Sequence, residues 1–316
     1  MPSLASVDQF SGCLVGQCLG DALGFPVEGS PPDICASYVE RLRSPSVEDA
    51  TARRRNYAFG QYTDDSQLAR ELMVSYAELG RFDPSDYAVR IRSIFAEDRI
   101  VGRGLATDAA ARRLIAGVPW DEAGTPAPQA GNGTAMRAGP VGLLFGDDPK
   151  QMVRVAHDQG RITHRDIRCS AGSIAIAGAV ALAARPGEID VPHLLRQLSE
   201  WMRGFDEHFA EHVLQLTDWV RLPPLEAAPR VLRVRGFFGR LEMDFAIRNP
   251  QRALEFVRFS SNAGGLLGND LDGHSSRRGC GLYRGNGWSH QRSPCGLEAA
   301  TARTCQAGER PRPVGF

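Results

Sequence analysis

The chain has 316 residues, 42% hydrophobic and 23% charged, with 37 basic and 37 acidic side chains and a formal net charge of zero. That length allows one large core or two smaller ones. The charge balance argues against nucleic-acid binding or a polybasic membrane anchor driven by bulk positive charge. The longest apolar run, Gly172 to Ala184, reaches about 20 Å as a helix, short of the ~30 Å hydrocarbon core of a bilayer.

The elements follow in chain order. Val7 to Leu19 places Val7, Phe10, Leu14 and Cys18 at three- and four-residue steps, which predicts an amphipathic helix ended by a turn over Gly20 to Pro26. Ser66 to Leu79 puts Leu68, Leu72, Met73, Tyr76 and Leu79 on one helical face. Pro84 suits a first helical position, with Tyr87, Ile91, Ile94 and Phe95 following at helical spacing. Further helices are predicted over Gly104 to Ala116, Pro149 to Gln159, Arg168 to Ala184, Val191 to Val220 and Pro250 to Asn262. No segment has the period-two alternation of a half-buried strand, so the class is all-α, with short loops and closely packed small-residue helices.

From Gly264 to Phe316 the apolar periodicity vanishes and Gly, Arg and Cys become dense, a composition that reads as loop or disordered tail. The expected division is therefore a helical domain over residues 1–265 and an aberrant tail over 266–316. The seven cysteines are odd in number, with no CxxC pair, and residues 1–10 lack a basic segment followed by an apolar one. A disulfide framework, a zinc knuckle and a signal peptide are not expected, and the default compartment is the cytoplasm.

Three islands have the residue types of a reactive site. Thr63-Asp64-Asp65 offers hard oxygen ligands for Mg²⁺, Mn²⁺ or Ca²⁺. The plainer explanation is helix capping, with Thr63 or Asp64 as N-cap. Gly131-Asn132-Gly133-Thr134-Ala135-Met136-Arg137 reads as a turn before a helix, whose free N–H groups suit an anion. An ordinary turn explains it equally. Thr163-His164 precedes the small-residue helix, and a lone histidine is more often structural than catalytic.

Together, the order is specific: Gly16-x-x-x-Gly20-Asp21-Ala22-Leu23-Gly24-x-Pro26-x-Glu28, then Thr63-Asp64-Asp65, Gly102-x-Gly104, Gly131-Asn132-Gly133-x-x-Met136-Arg137 and Thr163-His164. This series resembles the ADP-ribosylglycohydrolase family from about Phe10 to Ala184, and more loosely from Pro250 to Gly265. The resemblance implies a compact multi-helix fold around a cleft with two divalent metal ions, Mg²⁺ or Mn²⁺. Thr63, Asp64 and Asp65 match one set of metal ligands. Glu28 matches a general base or water-positioning group. Gly102, Gly104, Asn132, Gly133, Thr134, Met136 and His164 fall on substrate-binding positions, with Asn132 and Gly133 beside the diphosphate and distal ribose. Asp21 is expected to be structural, satisfying loop N–H groups.

The family's second metal motif, Asp-x-Asp followed by Thr or Ser and a small-residue helix, is not present in that form. After Asn262-Ala263-Gly264-Gly265 the chain reads Leu266-Leu267-Gly268-Asn269-Asp270-Leu271-Asp272-Gly273-His274. Asp270 and Asp272 keep the Asp-x-Asp spacing and are the candidate remaining ligands. If Leu271 to Ser276 are written as CTN-GAY-GGN-CAY-AGY-AGY, reading one base further on can yield Thr-Asp-Thr-Ala, close to the missing motif. A displaced frame also accounts for the Arg/Gly/Cys-rich end. A divergent tail is the other explanation.

The function expected from the resemblance is a divalent-metal-dependent hydrolase that removes ADP-ribose from a modified protein side chain or a small ADP-ribosyl compound. The alternative is a catalytically inactive family member, or a truncated frameshift product with only binding or structural capacity. Neither a nucleic-acid nor a membrane partner is expected.

Overall fold

The computed structural model describes residues 6–28, 30–43, 57, 60–219, 221–223, 226, 227 and 230. The expected Pro250 to Asn262 helix, the tail over 266–316 and the candidate ligands Asp270 and Asp272 lie outside the described residues. Among those described the regular structure is helical, with one isolated bridge pairing Thr125 and His164. None of the described helices is long and apolar enough to cross a membrane.

Asp-Pro pairs start two of the described helices. α4 (Pro84–Ala96) and α8 (Pro149–Arg161) each have Pro in the first turn behind an Asp N-cap. Asp83 accepts from the N–H groups of Ser85 and Asp86, and Asp148 from those of Lys150 and Gln151. The proline needs no hydrogen-bond partner at that position, and the carboxylate meets both the exposed N–H groups and the helix dipole. α9 (Ile167–Ala183) and α10 (Val191–Arg203) are capped by Asp166 and Asp190.

The core is built around α9, which packs against α7 (Gly139–Phe145), α8 and α10. α9 is apolar nearly all round, as a helix buried on several sides must be. Its small residues let neighbouring backbones approach. A Cβ on Gly142 of α7 would lie 2.1 Å from the Ala177 carbonyl oxygen, and one on Gly178 would lie 2.7 Å from Leu198 and 2.8 Å from Trp201 of α10. On the other side, α3 (Asp64–Leu79) lays Leu68 and Leu72 against Tyr87 and Ile91 of α4, and the Tyr87 hydroxyl donates to the Leu68 carbonyl at 3.0 Å. α5 (Leu105–Ile115) and the short α6 (Trp120–Ala123) continue this layer.

Two expectations are corrected. The first helix, α1, does not stop at Leu19. It runs Val7–Gly24 and passes into a 3-10 turn over Phe25–Val27. Tertiary contacts override the turn composition: Asp21 and Ala22 are the buried residues of α1, whereas Val7 is 80% exposed and Cys18 is exposed. Of the expected apolar face, Phe10 and Leu14 are half-buried while Val7 and Cys18 are exposed. The single helix expected over Val191 to Val220 is two, α10 and α11 (Glu207–Trp219). Gly204 ends the first, and Asp206 accepts the Phe209 N–H at 2.8 Å at the start of the second, a stop followed by a cap. The sequence reading also omitted α2 (Pro32–Arg43), α6 and α7.

Candidate active site

The start of α3 is held from outside the helix. Thr63 occupies the N-cap position, but its side chain makes no cap hydrogen bond. The cap comes from Asp21 of α1, 42 residues away. One Asp21 oxygen accepts from the Thr63 N–H at 2.8 Å, the Ser66 N–H at 3.2 Å and the Ser66 hydroxyl at 2.8 Å, and the other from the Thr63 hydroxyl at 2.8 Å. Asp21 thus does the structural work expected of it. Asp64 and Asp65 are not needed for capping and stand in the first turn as carboxylates.

A second clamp fixes the neighbouring loop. The Asp64 N–H donates to the Val101 carbonyl at 2.7 Å, and Gln67 bonds both the Arg99 carbonyl and the Val101 N–H. Gly102 follows at φ +77, where a Cβ would sit 3.1 Å from the Asp64 carboxylate, so both the backbone shape and the space call for glycine. Gln17 of α1 completes the frame by donating to the Asp65 and Met136 carbonyls, each at 3.0 Å. Sequence reading missed Gln17 and Gln67, and single polar residues on helices give no signal that would have found them.

Asp64 is 6% exposed. Burial first, then repulsion from Asp65, Asp21 and Glu28, pushes its carboxyl well above the usual carboxylate range, against a hydrogen bond from the Gly104 backbone. Glu28, half-buried at the end of the 3-10 turn, is thus within electrostatic reach of Asp64. Hard oxygens crowded in this way suit a small divalent cation, which would relieve the repulsion. Among the described residues, however, no group of three or more His, Cys, Asp or Glu is arranged to hold a metal ion by itself. The donors are of the right kind and supply part of a coordination shell.

The facing wall has the opposite character. The island at Gly131 is not the start of an α-helix as expected. It forms a single 3-10 turn over Asn132–Thr134, and α7 begins separately at Gly139 with Pro140 in its first turn. Thr134 is fully buried and its hydroxyl donates to the Cys169 carbonyl at 2.6 Å, so it braces the turn. Met136 packs on the core. Asn132 is half-buried on the turn itself. Gly133 lies against the His164 ring, and a Cβ there would be 2.5 Å from its Cε1 atom.

Arg137 is fully buried beneath this turn. Its Nε donates to Gln159 Oε1 at 2.7 Å, and one Nη donates to the Gln159 carbonyl at 2.8 Å and the Thr163 hydroxyl at 2.9 Å. The guanidinium stands 5.6 Å from the centre of the Tyr87 ring, and its other Nη has no partner among the described residues. His164 is 2% exposed, with Nδ1 at 2.9 Å from the Thr163 hydroxyl. Burial, then the Arg137 charge, lowers its pKa to about 3, against the pull of Asp166, so the imidazole is neutral.

Thr107 joins the walls. Its hydroxyl lies 3.0 Å from where a Gly133 Cβ would be and 3.7 Å from that of Gly104, which in turn is 4.0 Å from an Asp64 oxygen. Thr63, Asp64, Gly102, Gly104, Gly133 and His164 thus lie in one contiguous cluster, with Asp65 next to Asp64 in α3 and Glu28 within electrostatic reach.

A family model described as ADP-ribosylglycohydrolase matches residues 2–255. An uncharacterized protein of Archaeoglobus fulgidus is 28% identical over 206 residues, covering 65% of this chain and 65% of that protein. ADP-ribosylhydrolase ARH3 of Gallus gallus is 29% identical over 210 residues, covering 63% of this chain and 56% of that protein. The match thus spans less than two thirds of the length of these relatives. Among solved structures, one titled ADP-ribosylglycohydrolase-related protein complex is similar with a TM-score of 0.53 and 28% identity, over 80% of this chain and 78% of that one.

Proposed function

We propose, from the premise that this chain belongs to the ADP-ribosylglycohydrolase family, that it is a divalent-metal-dependent hydrolase releasing ADP-ribose from a modified protein side chain or a small ADP-ribosyl compound. The observation that carries the reading is Asp64: a buried carboxylate crowded by three other acids, on a helix whose capping is done by Asp21. Thr63, Asp64 and Asp65 would hold Mg²⁺ or Mn²⁺ on this wall, and Asp270 and Asp272 are the candidate ligands from the other part of the chain. When bound, such ions orient ribose hydroxyls and lower the pKa of water.

The chain's own residues supply the rest. Glu28 takes the proton from the attacking water as the bond between ribose and its substituent breaks, and the departing substituent regains that proton from Glu28. The Gly102 and Gly104 loop and the Asn132-Gly133 turn let the ligand approach the backbone closely, and His164 contacts it from beneath. The proposed setting is the cytoplasm.

A second reading is a family-fold protein without turnover. It rests on the sequence after Gly265, where Asp270-Leu271-Asp272 is followed by Gly273 in place of the Thr or Ser of the second metal motif. ADP-ribose release from an ADP-ribosylated substrate, with and without Mg²⁺ or Mn²⁺, separates the two. Slow or absent release by the chain as written, restored when the shifted frame is repaired, supports a hydrolase by descent whose second motif is damaged. Full turnover by the unrepaired chain would show that Asp270 and Asp272 suffice. No metal-dependent release by either form on any ADP-ribosyl substrate would favour the non-enzymatic reading.

A further inference from the structure

We infer that Arg137 and Thr163 are positioning residues that fix the tautomer of His164, holding its single ring hydrogen on Nε2 so that it donates to an acceptor oxygen of the ligand at the Gly131–Gly133 turn. The ligand half of this inference rests on the proposed function; the tautomer half does not.

The Thr163 hydroxyl decides the tautomer. The Thr163 oxygen already accepts from Arg137 at 2.9 Å. Its own hydrogen has two candidate acceptors, the Gly160 carbonyl at 3.5 Å and His164 Nδ1 at 2.9 Å. The Gly160 carbonyl already accepts the Thr163 N–H at 3.0 Å and the His164 N–H at 2.9 Å, which uses both its lone pairs. The hydroxyl therefore donates to Nδ1. A neutral imidazole that accepts at Nδ1 carries its hydrogen at Nε2. The donation from the buried guanidinium polarises the hydroxyl and strengthens the second bond.

Nε2 has no hydrogen-bond partner among the described residues. It lies 3.5 Å from where a Cβ on Gly131 would be and 3.2 Å from that on Gly133. Two side chains there would close over the nitrogen, and two glycines leave the approach open. His164 is only 2% exposed, yet Nε2 is not one of its fully enclosed atoms, so this N–H is open to an acceptor from outside.

The test uses the full chain labelled with ¹⁵N-histidine, and long-range ¹H–¹⁵N NMR reads which nitrogen of His164 is protonated. The ligand-free protein should show the Nε2–H pattern, and ADP-ribose should shift the Nε2 signal. Thr163→Val should lose the single-tautomer pattern and weaken ADP-ribose binding about tenfold, the scale of one hydrogen bond. Thr163→Ser, which keeps the hydroxyl, should restore both. An Nδ1–H pattern in the unmodified chain, read without any variant, would overturn the tautomer assignment, and an unchanged pattern in Thr163→Val would overturn Thr163 as the residue that fixes it. ADP-ribose that binds by calorimetry without moving the Nε2 signal would overturn the contact. ADP-ribose that does not bind at all would sink the functional reading and the ligand contact with it, while the ligand-free spectrum still decides the tautomer.

Discussion

The two walls of the site use the same depth of burial for opposite ends. On the α1/α3 side, Asp21 and Asp64 are 3% and 6% exposed, yet only Asp21 is saturated with hydrogen bonds. Asp64 is left among like charges. On the side of the Gly131 turn, Arg137 and His164 are buried just as deeply, and the ring is kept neutral and the guanidinium largely bonded. On the proposed reading, one wall would take a cation and the other would offer a donor to an acceptor. An ADP-ribosyl group suits such a pair, having hydroxyls that a metal ion can hold and oxygens that accept hydrogen bonds. The contrast also separates stability from function: saturated groups build the frame, and the unsatisfied ones are where a ligand has something to gain.

The sharpest way to break that contrast is at Asp64. Asp64→Ala in the frame-restored protein should lower metal-dependent ADP-ribose release more than ~100-fold, since a first ligand matters at least as much as the groups behind it. Asp64→Asn should also abolish release while raising the melting temperature of the metal-free protein, because it removes a carboxyl whose ionisation burial and its acidic neighbours oppose. A lower melting temperature in Asp64→Asn would mean the carboxylate is structural after all.

Asp21→Ala should do the reverse, with stability as its main casualty. Removing the cap and stranding the Thr63 and Ser66 donors should cost about 2 kcal/mol in urea unfolding. A loss under ~0.5 kcal/mol would show that α3 does not depend on it. Gly133→Ala probes the other wall. Its methyl would press on the His164 ring, so ADP-ribose affinity should fall about tenfold with a small change in melting temperature. Equal affinity would remove the ring from the site.

The smallest effect concerns acid. His164 has a folded pKa of about 3, below the unfolded ~6.5, so the unfolded chain takes up a proton there that the folded chain refuses. Its contribution is fully present above pH ~6.5 and is lost as pH falls toward 3, by about 1 kcal/mol per pH unit. Relative to His164→Gln, stability should decline between pH 6.5 and 5 while the His164 ring resonances stay fixed. Ring resonances that titrate near pH 6.5 would refute the buried neutral state.

Much of the helical layout was legible because local signals agreed with packing. Asp83-Pro84 starts α4, and Tyr87, Ile91, Ile94 and Phe95 are buried as their spacing predicts. The ordered islands carried the family. What was not legible is non-local. The extension of α1 past Gly20 depends on Asp21 meeting Thr63 and Ser66, and no window around Gly20 contains that information. Arg137 was visible at the end of its island but its place was not, since burial of an arginine depends on Gln159 and Thr163 being beneath it. Gly-Asn-Gly is compatible with both a helix start and a 3-10 turn, and Pro140 sets the helix start further on.

The Asp21 cap has a consequence for how the protein assembles. A cap normally sits next to the helix it serves and forms with it, whereas this one is 42 residues upstream. A peptide spanning only Thr63 to Leu79 would fray at its first turn, since no side chain of its own caps it. The geometry of Thr63, Asp64 and Asp65 is therefore a late product of folding, available only once α1 has docked and the loop-closure entropy has been overcome. A half-folded chain emerging during synthesis would hold these acids without their arrangement.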